Sequence, residues 1–330
     1  MTITTQDTAI RRLPLADIQG IRSGYGRSWQ WSCPFVTPPW LSAWWQIFGR
    51  EYEPLLLLVE VQGTPIGLAP LLGDGRTARI IGSEDLCDHV DFPVETGMEE
   101  IFFQTLLRHL RDVGIDRLVI DPVRPDSLVL CDLVPVARTM GGRVALEPNG
   151  VAVEMPLPNT WEEYLGTLTA KQRHEVRRKF RRAAESGEID CRLVKGLSEL
   201  PDMMDVFLDF FRQSRSDKDA FMTSKREKFF RLLANELARA QMLNLFRIEI
   251  DSQPAAVVFC IVDGSVTYLY NNGFNPHFST ISIGAVSKLM TIQASIEAGK
   301  AVYDFLNGAE RYKYQLGGTE VELSTCTIEM

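Results

Sequence analysis

The apolar positions of this chain change period in a repeating order. Trp40, Leu41, Trp44, Trp45 and Phe48 sit at helical spacing behind a Thr37-Pro38-Pro39 start signal, which predicts an amphipathic helix over 38–48. "EPLLLLVEVQGTPIGLAPLL" then reads as two strands joined at Gln62-Gly63, and "MEEIFFQTLLRHLRDVGIDRLVIDPV" as helix, Gly114 and strand. The same order returns later. "MLNLFRIEIDSQPAAVVFCIV" is strand, turn, strand, with Pro254 standing where Pro65 stood, and "SIGAVSKLMTIQASIEAGKAVYDFL" is helix, Gly299, strand. Residue identity between the two halves is thin, so the order of elements carries the inference of a duplication. It predicts an α+β protein of two units of one type, each a mixed sheet with helices packed on it.

The seam falls near 139–160, where "TMGGRVALEPNGVAVEMPLPNT" is rich in Gly and Pro yet holds a strand-like "VAVEM". This divides the chain into 1–145 and 146–330. After the seam, 161–168 and 169–187 read as helices. A helical pair over about 198–214 and 224–240 is split by the loop "SRSDKDAFMT".

Composition narrows the class. With 330 residues and 45% apolar content the chain can bury two modest cores. Its formal charge of −8 argues against a general nucleic-acid binder, so no DNA partner is expected and any basic site must be local. The six cysteines lie far apart with no CxxC pair, which fits free thiols in a reducing cytoplasm. "MTITTQDTAIRRLPL" lacks an apolar leader, and no run is long enough to span a bilayer, so a cytoplasmic protein is expected. Five of the six tryptophans lie between 29 and 45. A sugar-stacking platform is one reading, and a wide apolar core stripe is the favoured one.

One helix departs from the acidic background. "TAKQRHEVRRKFRRAAESG" opens with Thr169 and Gln172 in capping-box spacing and ends at Gly187. Between 171 and 182 it carries seven Lys and Arg residues against Glu175, while Val176, Phe180 and Ala184 form an apolar stripe that can dock it. Like charges at i and i+4, as in Arg173–Arg177 and Arg178–Arg182, oppose each other. The cations, with Arg173, Arg177 and Arg178 as candidates, therefore call for an anion, either internal carboxylates or an external phosphate.

"SVTYLYNNGFNPHFSTISIGAVSKLM" runs from a strand through a polar loop into a helix whose first turn holds Ser282, Ile283, Gly284 and Ala285. Backbone N–H groups at such a start can face an anion, with Lys288 one turn on reinforcing the charge. The other reading of Gly284 is close helix–sheet packing.

The succession of the "RRKFRR" helix, the "PAAVVFCIV" and "YLYNNGFNP" strands, the "SIG" helix start and the "YDFLNGAERYK" end resembles the GNAT-type acyltransferase domain of bacterial proteins linked to cellulose or exopolysaccharide biosynthesis. These are similar in turn to the Fem-type peptidyl transferases. The front half adds "PPWLSAWWQIFG", "GTPIGLAPL" and "IIGSEDLCDHVDF", so the resemblance covers about 30–325. It implies two tandem GNAT-like units, the second accepting an acyl-CoA co-substrate. The strand bearing Tyr270 and Asn271 would splay from that of Asp304 to hold pantetheine, and the 283–285 amides would face pyrophosphate.

Transfer of an acyl group to an amine needs a base for the ammonium proton and an acid for the departing thiolate. Asp304, in an apolar strand, is a candidate base. Asn307, three residues before Glu310, fits an N-cap with its capping-box partner, and a catalytic role for Glu310 stands beside that one. Tyr312 lies where related acyltransferases carry a tyrosine acid, and Lys313 is either a site residue or an ion-pair partner of Glu310. Asp85, Asp88, His89 and Asp91 could imitate a cation site, although carboxylates in a polar loop more often cap or solvate it. The four histidines show no metal spacing, and there is no P-loop, GxGxxG or GxSxG.

Three functions follow. The first is an N-acyltransferase that uses acyl-CoA to modify an amine of a sugar, amino acid or small metabolite. The others are a Fem-type transferase drawing its acyl group from aminoacyl-tRNA, and a non-catalytic binding protein of an envelope-polysaccharide system.

Overall fold

The computed structural model describes residues 7–24, 28–82, 86–194, 196–214 and 216–330. It divides into two compact units, 1–151 with 321–330, and 152–320. The first carries β1 (Thr8–Arg12), α1 (Ile21–Gly24), β2 (Trp29–Gln30), α2 (Pro38–Phe48), β3 (Glu53–Val61), β4 (Thr64–Asp74), β5 (Thr77–Ile80), β6 (Val94–Glu95), α3 (Glu99–Asp112), β7 (Arg117–Val123) and α4 (Val134–Thr139). The chain passes into the second unit within β8 (Arg143–Pro156). There follow α5 (Trp161–Thr167), α6 (Ala170–Ala184), β9 (Ile189–Leu193), α7 (Leu200–Ser214), α8 (Ser216–Phe221), α9 (Ser224–Arg239), β10 (Leu243–Ile250), β11 (Gln253–Asp263), β12 (Val266–Phe274), α10 (Ile283–Glu297), β13 (Val302–Asn307) and α11 (Arg311–Gln315). The last strand, β14 (Thr319–Glu329), belongs from Val321 onward to the first unit, whereas the sequence reading put everything after 146 in the second.

Each unit is built on a hairpin of the same construction. Gln62 and Gly63 adopt φ of 50° and 78°, and Asp251 and Ser252 adopt 48° and 63°, the double left-handed turn that matches the twist of the strands it joins. The ladder slips at the same place in both. Glu60 faces Pro65 while Val59 faces Gly67, and Glu249 faces Pro254 while Ile248 faces Ala256, so Ile66 and Ala255 are bulge residues. A proline cannot donate to the ladder, which suits it to a position beside a bulge.

From these hairpins the sheets continue alike. In the first unit β1, β3, β4 and β5 are antiparallel neighbours, β7 joins β5 in parallel after α3, and β14 closes on β7 antiparallel. In the second, β9, β10, β11 and β12 are antiparallel, β13 joins β12 in parallel after α10, and residues 152–156 of β8 close on β13 antiparallel. Both units are therefore mixed α/β sheets of one design.

Of the tryptophan-rich stretch, Trp29, Trp40 and Trp44 are core, while Trp31 and Trp45 are half-buried. Trp40 and Trp44 are fully buried on α2, and Phe35 meets the Trp40 ring edge-on at 4.8 Å. In the second unit one sheet face carries Tyr303 and Phe305 into a core with α5, α6 and α10. The other packs α7 and α9, with Phe259 meeting Phe207 and Phe230 at 5.8 and 6.3 Å. The docking stripe of α6 is corrected by one residue, since Val176 and Ala183 are buried while Ala184 is exposed. The stretch read as the loop "SRSDKDAFMT" contains α8. Six residues make a marginal helix by themselves. Tertiary partners hold this one: Lys218 donates to the Asn272 carbonyl at 2.7 Å and lies 4.5 Å over the Phe211 ring.

Gly273 shows how closely α7 rides on β12. A Cβ there would fall 2.5 Å from the Phe211 amide nitrogen and 2.7 Å from the Phe210 carbonyl carbon, both backbone atoms. Gly273→Ala is expected to cost about 3 kcal/mol by forcing the helix off the sheet. Gly166→Ala, in α5 where a Cβ meets nothing within 4 Å, is expected to be neutral or to gain up to about 1 kcal/mol. Urea denaturation midpoints of the two variants check this contrast.

Candidate active site

β12 and β13 run in parallel only as far as three pairs, Val266–Val302, Thr267–Tyr303 and Tyr268–Asp304. β12 continues to Phe274 and β13 to Asn307 without further pairing to each other, so the two strands part beyond Tyr268 and Asp304. Two local features cause this. On β12 the register against β11 passes from Cys260–Leu269 to Phe259–Asn271, leaving Tyr270 as a bulge residue. On β13 the Asp304 carboxylate accepts the Leu306 N–H at 2.7 Å, and Leu306 takes φ of 62°, which bends the strand end out of the ladder.

The parting strands sort the candidate residues onto two faces. Because Tyr303 and Phe305 point into the core beneath α10, alternation turns Asp304 to the α7/α9 face, where it is 2% exposed. Tyr270 lies on that face too, stacked on Phe230 at 5.5 Å, with Asn271 half-buried beside it. Lys288, Tyr312 and Ala285 belong to the opposite face. Asp304 and Tyr312 are thus brought to the same opening from its two sides.

The corner between β13 and α11 is held by Lys313. Its Nζ donates to the carbonyls of Leu306, Asn307 and Gly308 at 3.0, 2.6 and 2.9 Å and pairs with Glu310 at 2.9 Å, in a side chain 2% exposed. An ammonium has three protons, so these acceptors occupy it fully. The expected capping box at Asn307 does not form. Gly308 has φ of 108°, which breaks any helix there, and the helix starts at Arg311 with Glu310 in the N-cap position but without a side-chain cap bond. Glu310 is instead the exposed partner of Lys313.

Tyr312, on the first turn of α11, is half-buried and meets the Phe305 ring in a T-shaped contact at 6.4 Å. The Lys288 ammonium lies 4.7 Å from that ring's centroid and donates to the Gly284 carbonyl at 2.7 Å. Lys288 therefore turns inward rather than toward an external anion. Burial, with Lys218 and Lys313 adding to it and Glu310 opposing, lowers its pKa to about 7.

At the start of α10, Ser282 adopts the left-handed conformation and its carbonyl accepts from Ala285 and Val286 at 2.8 and 3.1 Å. The Ala285 amide, expected to face an anion, is thereby engaged within the helix. Ile283 is fully buried, and a Cβ at Gly284 would come within 3.1 Å of the Phe274 ring, so the glycine serves close packing.

A cavity of about 580 Å³ opens between α6, α10 and α11. α6 presents Lys171, Gln172, Glu175, Val176 and Lys179 to it, α10 presents Ala285, and α11 presents Arg311 and Tyr312. The capping box at Thr169 forms, and Gln172 also donates to the Tyr314 carbonyl at 2.8 Å, tying α6 to α11. Arg173 and Arg177 lie off the lining. Arg178 forks onto Glu175, at 2.7 Å through Nη2. The spacing 171–175–179 was visible as one helical face, but the crowd of arginines around it hid which face meets a cavity.

The acidic loop of the first unit is structural. Asp91 accepts from Ser32 Oγ and from the Phe92, Leu128 and Val129 amides, while burial raises its pKa to about 6. His89 is buried, which lowers its pKa to about 3. Asp85 lies outside the described residues. Among the described residues no group of His, Cys, Asp or Glu could hold a metal ion, and no helix is long and apolar enough to cross a membrane.

Residues 170–314 match the family of acetyltransferase (GNAT) domains. No curated protein matches the sequence. Among solved structures the chain is similar to FemX, with a TM-score of 0.63 and 11% identity over 96% of each chain. It is similar to a conserved protein of unknown function from Bacteroides thetaiotaomicron, with a TM-score of 0.62 and 11% identity over 97% of this chain and 99% of that one. A third likeness is to the C-terminal domain of a protein named as a lysylphosphatidylglycerol synthetase from Agrobacterium fabrum, with a TM-score of 0.56 and 12% identity over 84% and 83%. At such identities the likeness speaks for the fold. The chain thus consists of two mixed α/β units of one design, and residues 170–314, within the second, match the acetyltransferase (GNAT) domain.

Proposed function

We propose that the second unit transfers an acyl group from a CoA thioester to an amine of a sugar, amino acid or small metabolite in the cytoplasm, in the service of exopolysaccharide or cell-envelope biosynthesis. The observation that carries the reading is the opening between β12 and β13 within the acetyltransferase match. Parted parallel strands leave backbone donors and acceptors facing a slot, which suits an extended, amide-bearing pantetheine arm, with Tyr270 and Asn271 along one wall. The motifs that resemble polysaccharide-linked acyltransferases support the biosynthetic setting.

In this reading the donor enters over the α6/α10 face and the amine arrives from the α7/α9 face. Asp304 takes the ammonium proton, the amine nitrogen bonds to the thioester carbonyl carbon, and the C–S bond breaks. Tyr312 donates its phenolic proton to the leaving thiolate, and the second proton that the nitrogen sheds on becoming an amide goes to the Tyr312 phenolate, which restores the phenol. Lys313 and Glu310 hold the corner that presents Tyr312. Lys288, beside the Tyr312 ring, is an amine whose charge changes near neutrality.

A second reading, aminoacyl transfer from tRNA, draws on one observation. Among the described residues neither Arg173 nor Arg177 has an ion pair, although Arg178 does. That leaves two cations of α6 open to a phosphate backbone.

Isothermal titration with acetyl-CoA is expected to show binding, and Tyr312→Phe is expected to lower kcat by about 100-fold or more with little change in KM. No binding of acetyl-CoA or longer acyl-CoAs sinks the CoA reading, and thiol release that requires Tyr312 excludes a non-catalytic scaffold. For the tRNA reading, binding must weaken steeply with salt, and Arg173→Glu with Arg177→Glu must flatten that dependence by about one logarithmic unit of slope per lost contact. A salt-independent response excludes it.

Lys288 makes a prediction about stability. Its ammonium titrates near 7 in the fold against the ordinary 10.5 of an exposed lysine. Between those values the unfolded chain binds a proton that the folded one lacks, so this residue's contribution to stability rises with pH across that window. Lys288→Met should therefore melt highest relative to wild type at or below pH 7, with the gap closing toward pH 10. Thermal melts at pH 7, 8.5 and 10 check this, and parallel curves would show that the lysine is not shifted.

A further inference from the structure

We propose that the outer edge of β9 is an interface where a second copy of this chain pairs, antiparallel and centred on Cys191, so that the two sheets continue into one another. β9 is the last strand of its sheet, with β10 on one side and, among the described residues, no strand on the other. The ladder fixes which of its backbone groups face outward. Val194 donates to the carbonyl of Leu245, directly opposite, at 2.9 Å, and Asp251 donates to that of Glu188, directly opposite, at 2.9 Å. Hydrogen-bonded positions alternate along an antiparallel pair. Asp190 and Arg192 therefore point their N–H and C=O groups at β10, while those of Ile189, Cys191 and Leu193 point outward, where a further strand would lie.

The side chains on this edge are self-complementary. Ile189, Cys191 and Leu193 form a half-buried apolar row packed on the core, without the proline or lysine that blunts many sheet edges. Asp190 and Arg192 occupy the other face. Within one chain they lie opposite their own kind, Asp190 against Glu249 and Arg192 against Arg247, and like charges so placed oppose each other. Arg247 pairs with Glu249 along β10, and among the described residues Asp190 has no ion pair. A second copy turned about a two-fold axis at Cys191 supplies the missing partner twice. Asp190 of each copy then faces Arg192 of the other, and Ile189 faces Leu193. Arg192 already holds Glu199 at 2.9 Å, but that pair is exposed and of small worth, and a guanidinium has donors enough for a second carboxylate.

The same charges exclude other registers. Sliding one copy by two residues sets Asp190 against Asp190 or Arg192 against Arg192, according to direction. Sliding it by one sets outward groups opposite groups already bonded to β10. The edge is thus guarded against every pairing near this one except the symmetric one. This interface is independent of the acyl-donor reading and is tested without any activity.

In sedimentation velocity, wild-type protein is expected to pass from monomer to dimer along a concentration series. Asp190→Arg and Arg192→Asp each set like charges together at two symmetric places, and each is expected to weaken self-association about tenfold or more. An equimolar mixture of the two variants regains opposite charges at every such contact, so it should form heterodimers at the concentrations where wild type dimerises. A structural role for either residue within its own chain gives no such rescue. In wild type, hydrogen exchange at the Ile189, Cys191 and Leu193 amides should slow as concentration rises, while the Asp190 and Arg192 amides, bonded to β10, stay slow throughout. Wild-type protein that remains monomeric overturns the proposal, as do single variants that dimerise undiminished, a mixture that fails to associate, or exchange at the three outward amides that ignores concentration.

Discussion

The candidate site depends on one buried ammonium. Lys313 gathers three successive carbonyls at the end of β13, in a segment where Leu306 and Gly308 both have positive φ and the pairing with β12 has ended. Buried carbonyls without donors would be costly, and a buried ammonium without acceptors more so. Each removes the other's penalty. The same residue belongs to α11, so the bond set fixes that helix, and Tyr312 with it, against the end of the strand that bears Asp304. Glu310 adds the countercharge from the exposed side.

That corner matters because the neighbouring strand has been pushed away. The Tyr270 bulge and the bond from Leu306 to Asp304 separate β12 from β13 after three pairs, and the resulting opening has a different chemistry on each side. One face offers a buried carboxylate among aromatic rings. The other offers a phenol, an amine titrating near neutrality and a cationic cavity. A sheet broken in this way can expose one reacting centre to two molecules arriving from opposite faces, which a continuous sheet would keep apart.

The duplicated order of elements was legible because both copies keep strong local signals: apolar runs of strand length, a turn pair and a proline two or three positions beyond it. The structure adds the shared bulges at Ile66 and Ala255, which no residue type announces. Helix ends followed the same division. Thr169 and Gln172 cap α6 as their spacing required, because a capping box is satisfied within four residues. Asn307 and Glu310 have the same spacing and form no box, because Gly308 takes φ of 108° between them and Lys313 claims the Glu310 carboxylate. Likewise α8, too short to hold itself, exists because Lys218 and Phe211 meet around it.

Sequence alone was sufficient for the class of fold, the repeated order of strands and helices apart from α8, the buried Trp40 and Trp44 and the oddly basic helix, since each rests on periodicity or on contacts between near neighbours. It also brought Asp304, Tyr312 and Lys313 under suspicion. Which of these faces which side of the sheet, which ends as a structural tie, and which cations of α6 meet a cavity were settled only by tertiary structure. A strand's alternation says that neighbours point apart but not what waits on either side, and a helix ringed with arginine has no preferred face until another helix packs against it.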